Sequence, residues 1–405
     1  MIAFEVSRVA LRALRTNALR TALNVLGIVI AVATMISVIS LITGLNDYAT
    51  SVIGRLGPST FVVAKFGIIT SREGFLEALK RKNYDEADVE AVKRLVPEAR
   101  RVTGRVFASH PVWGEGRRLP NAIVIGAGSE IPWMIGLELD DGRFFTETEE
   151  QAARPVAVIG AEVVDELFPH VDPIGRTIKV EGRPFRVVGT LVRQGELLGQ
   201  SQDSLVAIPL PAYRKAFGKR SSIDIFVESP TPEARPVVED AVRSVLRARR
   251  HTRFDADDPF GVITAQSLES LWSSITFLAF TLVTVISSIS LVVGGVAIMN
   301  TMFAAVMERT REIGIRKAMG ARRRDLLLQF LVEAVALTFL GGCAGVGLGW
   351  LGGQIISAYS PFPALLTRGL VTSGLTVATA AGLIAGWLPA LRASRLDPVE
   401  ALRAE

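Results

Sequence analysis

The stretch SLWSSITFLAFTLVTVISSISLVVGGVAIMNTMFAAVMERTREIGIRKAMGARRRD, residues 270–325, opens with 38 positions free of Asp, Glu, Lys and Arg, 270–307, and then places seven basic residues within the next 18. An α-helix rises about 1.5 Å per residue and the hydrocarbon core of a bilayer is about 30 Å thick, so about 20 apolar residues cross it. Thirty-eight uncharged residues make a helix of about 57 Å. The stretch therefore predicts a span whose first part, SLWSSITF, stands above the bilayer as a stalk with Trp272 near the interface. A loop leading into an ordinary span is the plainer alternative.

Working outward, three further intervals carry no charge: 21–46, 334–367 and 369–391. Bulk composition hides them, because 49% hydrophobic and 21% charged residues are close to a soluble average. The first interval, TALNVLGIVIAVATMISVISLITGLN, follows Arg8, Arg12, Arg15 and Arg20 and contains Ala31-Val-Ala33, a faint cleavage motif. Its apolar run continues to Leu45, longer than a signal-peptide core, which predicts an uncleaved span. Basic residues before the first interval, in 308–325 and after 391 (Arg392, Arg395, Arg403) contrast with a lone Arg368 between the last two. By the positive-inside rule both termini and the 308–325 loop are expected to be cytoplasmic.

The resulting plan is a multi-pass α-helical membrane protein with four transmembrane helices. It comprises an amphipathic N-terminal segment (1–20), a first span (21–46), an external region (47–270), a stalk and second span (271–307) and a cytoplasmic loop (308–325). A third span (326–356), a short external loop (357–368), a fourth span (369–391) and a cytoplasmic tail (392–405) complete it. In the third span Gly341, Gly345, Gly349 and Gly353 recur every four residues, clearing one face for close approach of another helix. Candidate partners are Gly27 and Ala31 of the first span, and Gly294 and Gly295 of the second. Polar residues in the spans are few: Asn24, Asn300, Gln354 and, at the flank, Glu333, expected at the interface. A charged midplane of the proton-coupled kind is missing.

The external region holds 30 basic and 32 acidic residues, an ordinary soluble balance, and reads as a folded α+β domain. Strands are predicted at FVVAKF (61–66), AIVIGA (122–127), PVAVIG (155–160), SIDIFVES (222–229) and near 260–264. RTIKVEG and PFRVVGTLV, between 176 and 192, form a hairpin pair joined at Glu181-Gly182-Arg183-Pro184. Helices are predicted at 85–95, with acids in the first turn and Pro97 just beyond, and at 232–250. The β-rich middle, about 137–215, reads as an insertion or as a second consecutive domain.

Several chemistries are excluded. One cysteine gives no disulfide framework, and His110, His170 and His251 lie far apart with no CxxC or HExxH. Asp140/Asp141 and Asp257/Asp258 are adjacent, which on a strand points them to opposite faces, so they read as surface or turn. Neither a GxSxG elbow nor a GxxxxGK[ST] phosphate loop occurs. No catalytic residue, metal site or cofactor site is expected. The net charge of +5 and pI of about 9.5 do not indicate nucleic-acid binding, because the excess lies in the membrane flanks. Within 308–325, Ile315, Ala318 and Met319 share a helix face, with Arg311, Arg316 and Lys317 as charges and Gly320 as a stop. This short helix suits either anionic lipid or a protein groove.

TALNVLGIVIAV in the first span, GRFFTETEE, PVAVIGAEVVDELFP and DPIGRTIKVEGRPFRVVGTL outside, MERTREIGIRKAMGARRRDLLLQFLVEA after the second span and PALRASRLDPVEALRAE at the end resemble the permeases of the MacB, FtsX and LolC/LolE type. These belong to ABC systems that work by mechanical transmission, and the resemblance covers nearly the whole chain. It implies an α/β porter part (47–136 and 216–270) with an inserted β-rich sabre-like part (137–215). It further implies a coupling helix that meets an ATPase, carried by Arg311, Glu312, Ile313, Gly314, Ile315, Arg316, Lys317, Ala318, Met319 and Gly320. Two copies of a separate ATPase subunit, which would bind the MgATP, and a second permease chain, identical or paralogous, are implied partners. An extracytoplasmic adaptor is a possible addition. The implied setting is the bacterial inner membrane. The implied function is export of an amphiphile, peptide, antibiotic or lipoprotein; the alternative is an FtsX-like regulator that activates a cell-wall hydrolase without transport.

Overall fold

The computed structural model describes residues 18–69, 71–197, 200–219, 221–359 and 364–403. The N-terminal segment is thus outside the described residues up to position 17. The chain divides into two compact units, Tyr48–Ser273 and the remainder.

The first of these is built on one mixed sheet of ten strands. The strands are β1 (Thr60–Ala64), β2 (Arg101–Gly114), β3 (Arg117–Ala127), β4 (Leu139–Gly142), β5 (Val156–Ile159), β6 (Thr177–Val180), β7 (Arg183–Leu191), β10 (Leu205–Pro209), β11 (Asp224–Glu228) and β12 (Gly261–Thr264); β8 (Glu196–Leu197) and β9 (Gln200–Ser201) pair separately. The spatial order is β12-β1-β11-β2-β3-β10-β5-β7-β4, with β6 laid against β2 and β7. Strands from 47–136 and from 137–215 join in this single sheet, because β10 pairs in parallel with β3, Val206 opposite Val124. Alternation along β1 sends Phe61 and Val63 to one apolar cluster and Val62 to the other, as a period of two requires.

Local sequence explains the connections. The β6–β7 hairpin turns at Glu181 (φ 47°) and Gly182 (φ 81°), the pair of positive φ angles that a tight two-residue turn demands. Helix α3 (Glu86–Leu95) starts with a reciprocal cap between Asp85 and Asp88. The remaining helices here are α2 (Arg72–Lys80), α4 (Ile131–Ile135), α5 (Glu147–Gln151), α6 (Ala161–Leu167), α7 (Leu210–Phe217) and α8 (Arg235–Arg249). The 14-residue β2 was not anticipated; Gly104 and Pro111 interrupt its pattern, and its register with β3 shifts between His110 and Val112.

Among the described residues four helices are long and apolar enough to cross a membrane: 25–47 within α1 (Ala18–Arg55), α9 (Ala265–Glu308), α11 (Arg323–Tyr359) and α12 (Arg368–Arg395). Several of the hydroxyls they carry are satisfied locally. Thr281, Thr284 and Thr301 each donate to the carbonyl four residues earlier, which removes the cost of a bare hydroxyl in hydrocarbon.

Small residues set the packing of the helical unit. A Cβ on Gly345 would lie 2.8 Å from Val32 Cβ and 2.9 Å from the Val29 carbonyl oxygen, and one on Gly349 only 2.8 Å from both Ala33 O and Ile36 Cβ. Gly341 meets Val25 in the same way, while Gly353 faces Ala364. Ser37 Oγ donates to Gly349 O at 2.8 Å across this α1–α11 seam. The first-span side of the seam is thus branched residues rather than Gly27 and Ala31; Gly27 instead opposes Gly294 of α9, where a Cβ would lie 2.9 Å from Gly294 Cα. A second register, Gly374, Ala378, Gly382 and Gly386 on α12, escaped the sequence reading. Its last three members face Gly342, Thr338 and Ala334 of α11.

Candidate functional site: the 308–325 loop and the C-terminal helix

Helix α9 ends at Glu308, and the chain turns through Arg309 into α10 (Thr310–Ala318). The reversal after α10 is made by Gly320 at φ +98°, with the amides of Gly320 and Ala321 donating to Lys317 O and Arg316 O, both at 3.0 Å. Only glycine adopts that conformation cheaply. Asp325 then accepts from the Arg322 amide at 3.2 Å as α11 begins.

The helix has an inner and an outer side. Ile313 is fully buried and Gly314 is buried against α13 (Pro398–Arg403); a Cβ on Gly314 would lie 2.7 Å from Ala401 Cβ. Lys317 Nζ donates to Leu396 O, just before the same helix, at 2.5 Å. Burial of its ammonium, aided by the nearby Arg323 and opposed by Asp397, pushes the Lys317 pKa down. Arg309 pairs with Glu333 of α11 at 3.5 Å, and Glu333 is well buried, so the loop is tied to the third span as well as to the C-terminal tail.

Facing outward are Arg311, Glu312, Ile315, Ala318, Met319 and Gly320, with Arg316 and Lys317 half-buried between the two sides. Ile315 is 44% and Met319 76% exposed. Glu312 pairs loosely with Arg316 at 3.7 Å. The result is a short apolar ridge rimmed by Arg311, Arg322, Arg323 and Arg324, all exposed, and braced from behind. The brace was invisible in sequence. Its only signal is a pair of small residues, Gly314 and Ala401, 87 positions apart.

The other candidates separate. Asp140 and Asp141 are exposed on β4, while Asp258 accepts from Arg247 at 2.6 Å and pairs with Arg243 at 3.1 Å. Among the described residues no cluster of His, Cys, Asp and Glu could hold a metal ion.

The MacB-like periplasmic core domain model matches residues 21–245, and the FtsX-like permease C-terminal model matches 270–398. A macrolide export ATP-binding/permease protein MacB of Rhodospirillum rubrum is 37% identical over 413 residues, covering 99% of this chain and 60% of the relative. The MacB of Bdellovibrio bacteriovorus is 32% identical over 400 residues, covering 97% of this chain and 60% of the relative. The chain therefore spans about 60% of the length of these relatives. The uncharacterized ABC transporter permease YknZ of Bacillus subtilis is 30% identical over 410 residues and is covered completely, as is this chain. Among solved structures, the periplasmic region of MacB from Actinobacillus actinomycetemcomitans aligns with a TM-score of 0.46 at 19% identity, over 54% of this chain and 94% of that one. With the four apolar helices, the extracytoplasmic core domain and the permease module all accounted for, the chain belongs to the MacB/FtsX family of ABC transporter permeases.

Proposed function

We propose that this chain is the membrane subunit of an exporter in which a separate ATPase, binding MgATP, drives movement of the Tyr48–Ser273 domain. The observation that carries the reading is the ridge of Ile315, Ala318 and Met319. An apolar ridge on a helix held rigid by Ile313, Gly314 and Lys317 is shaped to enter a groove and to transmit force. A lipid-binding segment would need charge and apolar surface but no such brace. The basic excess around the ridge supports a cytoplasmic position for this loop and for both termini. Relatives named for macrolide export and pyoverdine export support transport of an amphiphile, peptide, antibiotic or lipoprotein. Pairing with a second permease chain supplies two such ridges for two ATPase copies.

The test is co-purification of the permease with its ATPase. Ile315→Asp or Met319→Asp abolishes the association while the permease stays in the membrane, because a carboxylate entering an apolar groove costs several kcal/mol. Undiminished co-purification refutes the assignment. Wall or cell-chaining defects on deletion, with no change in any export, would replace the exporter by the regulator.

A further inference from the structure

One end of the Tyr48–Ser273 unit carries two features that its own chain leaves bare. The first is a finger. Arg247, in the last turn of α8, donates through Nη1 to Ala256 O at 2.9 Å and to Asp258 at 2.6 Å, and through Nη2 to Phe254 O at 3.1 Å. Arg243 holds Asp258 as well, at 3.1 Å. The 252–258 loop is therefore wrapped on two guanidinium groups, and from it the Phe254 side chain stands fully exposed. Beside it are Asp255, paired at 3.0 Å with the exposed Arg253, and Asp257, which makes no ion pair among the described residues.

The second feature is an apolar patch on α2. Phe75 and Leu76 precede Leu79 by four and three positions, so the three share a helix face, and they are 49%, 49% and 48% exposed. Phe66 stacks on Phe75 with ring centroids 6.0 Å apart and extends the patch. From 72 to 82 four basic residues outnumber the acids Glu73 and Glu77, and Lys80 and Lys82, at the end of the helix, make no ion pair among the described residues. Finger and patch adjoin. Arg250 Nη2 donates to Asn83 O and Lys65 Nζ to Asn83 Oδ1, both at 3.0 Å, so the end of α8 and the two ends of the α2 segment meet at one asparagine.

An aromatic held out on a preformed loop can be buried by a partner without the entropy of ordering the loop, and anchors of this kind carry most of an interface's free energy. The acids beside Phe254 and the bases beside Leu79 are opposite in sign, whereas an anionic bilayer surface would repel the acids. A two-fold axis through adjacent complementary features brings each against its counterpart on the other copy, so that one contact is made twice. We propose that this end of the unit is an interface between two copies of the chain, with Phe254 of each seated on Phe66, Phe75, Leu76 and Leu79 of the other and Asp257 facing Lys80. The proposal rests on the pairing of permease chains given above and names the surface that the extracytoplasmic units use for it.

The experiment is disulfide cross-linking of the full chain in membranes, on a Cys343→Ser background that removes the one native cysteine. Two differently tagged copies are co-expressed, one with Ala256→Cys and the other with Leu76→Cys, so the heterotypic bond can form only between chains. The cross-link forms, since the contact brings the two positions within disulfide reach, and it fails when Ala256→Cys is replaced by Val237→Cys, an exposed position at the other end of α8. Phe254→Ser lowers the yield by about tenfold. Asp257→Lys lowers it by a similar factor, and Lys80→Asp on the other copy restores it, a rescue that misfolding cannot imitate. No rescue, an unchanged yield in Phe254→Ser, or a disulfide to a different protein in place of the second copy overturns the proposal. Mass photometry of the same preparation separates the two readings: particles with two permease chains and no cross-link overturn this interface and leave the pairing standing, and single chains alone overturn both.

Discussion

Replacing Gly314 with Ala tests the brace behind α10. The new Cβ would lie 2.7 Å from Ala401 Cβ, whereas two carbons pack at about 3.5–4.0 Å. The two helices must part by about 1 Å or the helix must shift, and overpacking of that size costs about 1–3 kcal/mol. Alanine gains about 1 kcal/mol over glycine in helix propensity, so the single variant loses about 0–2 kcal/mol. Ala401→Gly alone loses about 1 kcal/mol of propensity and a buried methyl worth about 0.8 kcal/mol. In the double variant the methyl has moved across the seam and the clash is gone. The two substitutions are therefore coupled favourably by about 1–3 kcal/mol. The assay is a double-mutant cycle on opening of the C-terminal helix, read by trypsin cleavage after the exposed Arg395 under conditions where cutting reports the open population. Additivity within about 0.5 kcal/mol would refute the contact and with it the claim that α10 is held from behind.

Other perturbations test the remaining seams. Gly345→Leu forces α1 from α11 and lowers the thermal stability of the permease, while Gly347→Leu, at a position with open space within 4 Å, leaves the melting curve in place; equal effects would mean the register is incidental. The Glu149 carboxyl is brought down from 4.5 to about 2, chiefly by its paired hydrogen bonds from Arg143 at 2.7 and 2.8 Å. The stabilisation is fully present above pH 4.5 and is lost as the pH falls toward 2; with Arg143 half exposed, solvent holds it to about 1 kcal/mol. Glu149→Gln therefore lowers the melting temperature at neutral pH and matches the parent near pH 2, and a constant difference across that range would contradict the pairing. Thr281→Pro breaks α9 and, on the exporter reading, leaves ATPase association intact while abolishing substrate-dependent ATPase activity; retained stimulation counts against mechanical transmission.

What could be read in sequence was whatever periodicity or exclusion of charge writes locally. The four uncharged intervals became the four long apolar helices, because hydrocarbon admits few charges anywhere along a span. The Glu181-Gly182 turn and the acid-rich start of the 85–95 helix were legible for the same reason, each being a short-range contract between neighbouring residues, although Asp85 proved to be the cap before α3 rather than part of its first turn. GRFFTETEE was quoted only as a motif, and its physics is local too. Gly142, at φ +75°, passes where a Cβ would lie 2.5 Å from Val188 O, Thr146 caps α5, and Arg143 clasps Glu149. Illegible were the contacts that depend on distant partners. The pairing of β10 with β3 carries the sheet across the expected porter and sabre-like segments, and nothing in either strand alone announces its neighbour.

On the exporter reading, the helical unit moves as solid pieces. At the glycine seams backbone meets backbone or branched side chain with no flexible layer between, and packing this dense deforms little. Helix α9 is one uninterrupted element of 44 residues, about 66 Å of rod, free of proline, with the hydroxyls of Thr281, Thr284, Ser290 and Thr301 turned back onto its own carbonyls. It begins within the Tyr48–Ser273 unit and ends at α10. A rod transmits displacement only if its loaded end cannot buckle. At that end Ile313, Gly314, Lys317 and Arg309 lock α10 to α13 and α11, leaving Ile315 and Met319 exposed as the surface that, on the exporter reading, receives the force. The brace, rather than the ridge, is thus the element that separates a lever from a mere docking site, and it is why Gly314, with no side chain to offer any partner, is the position where a single methyl should matter.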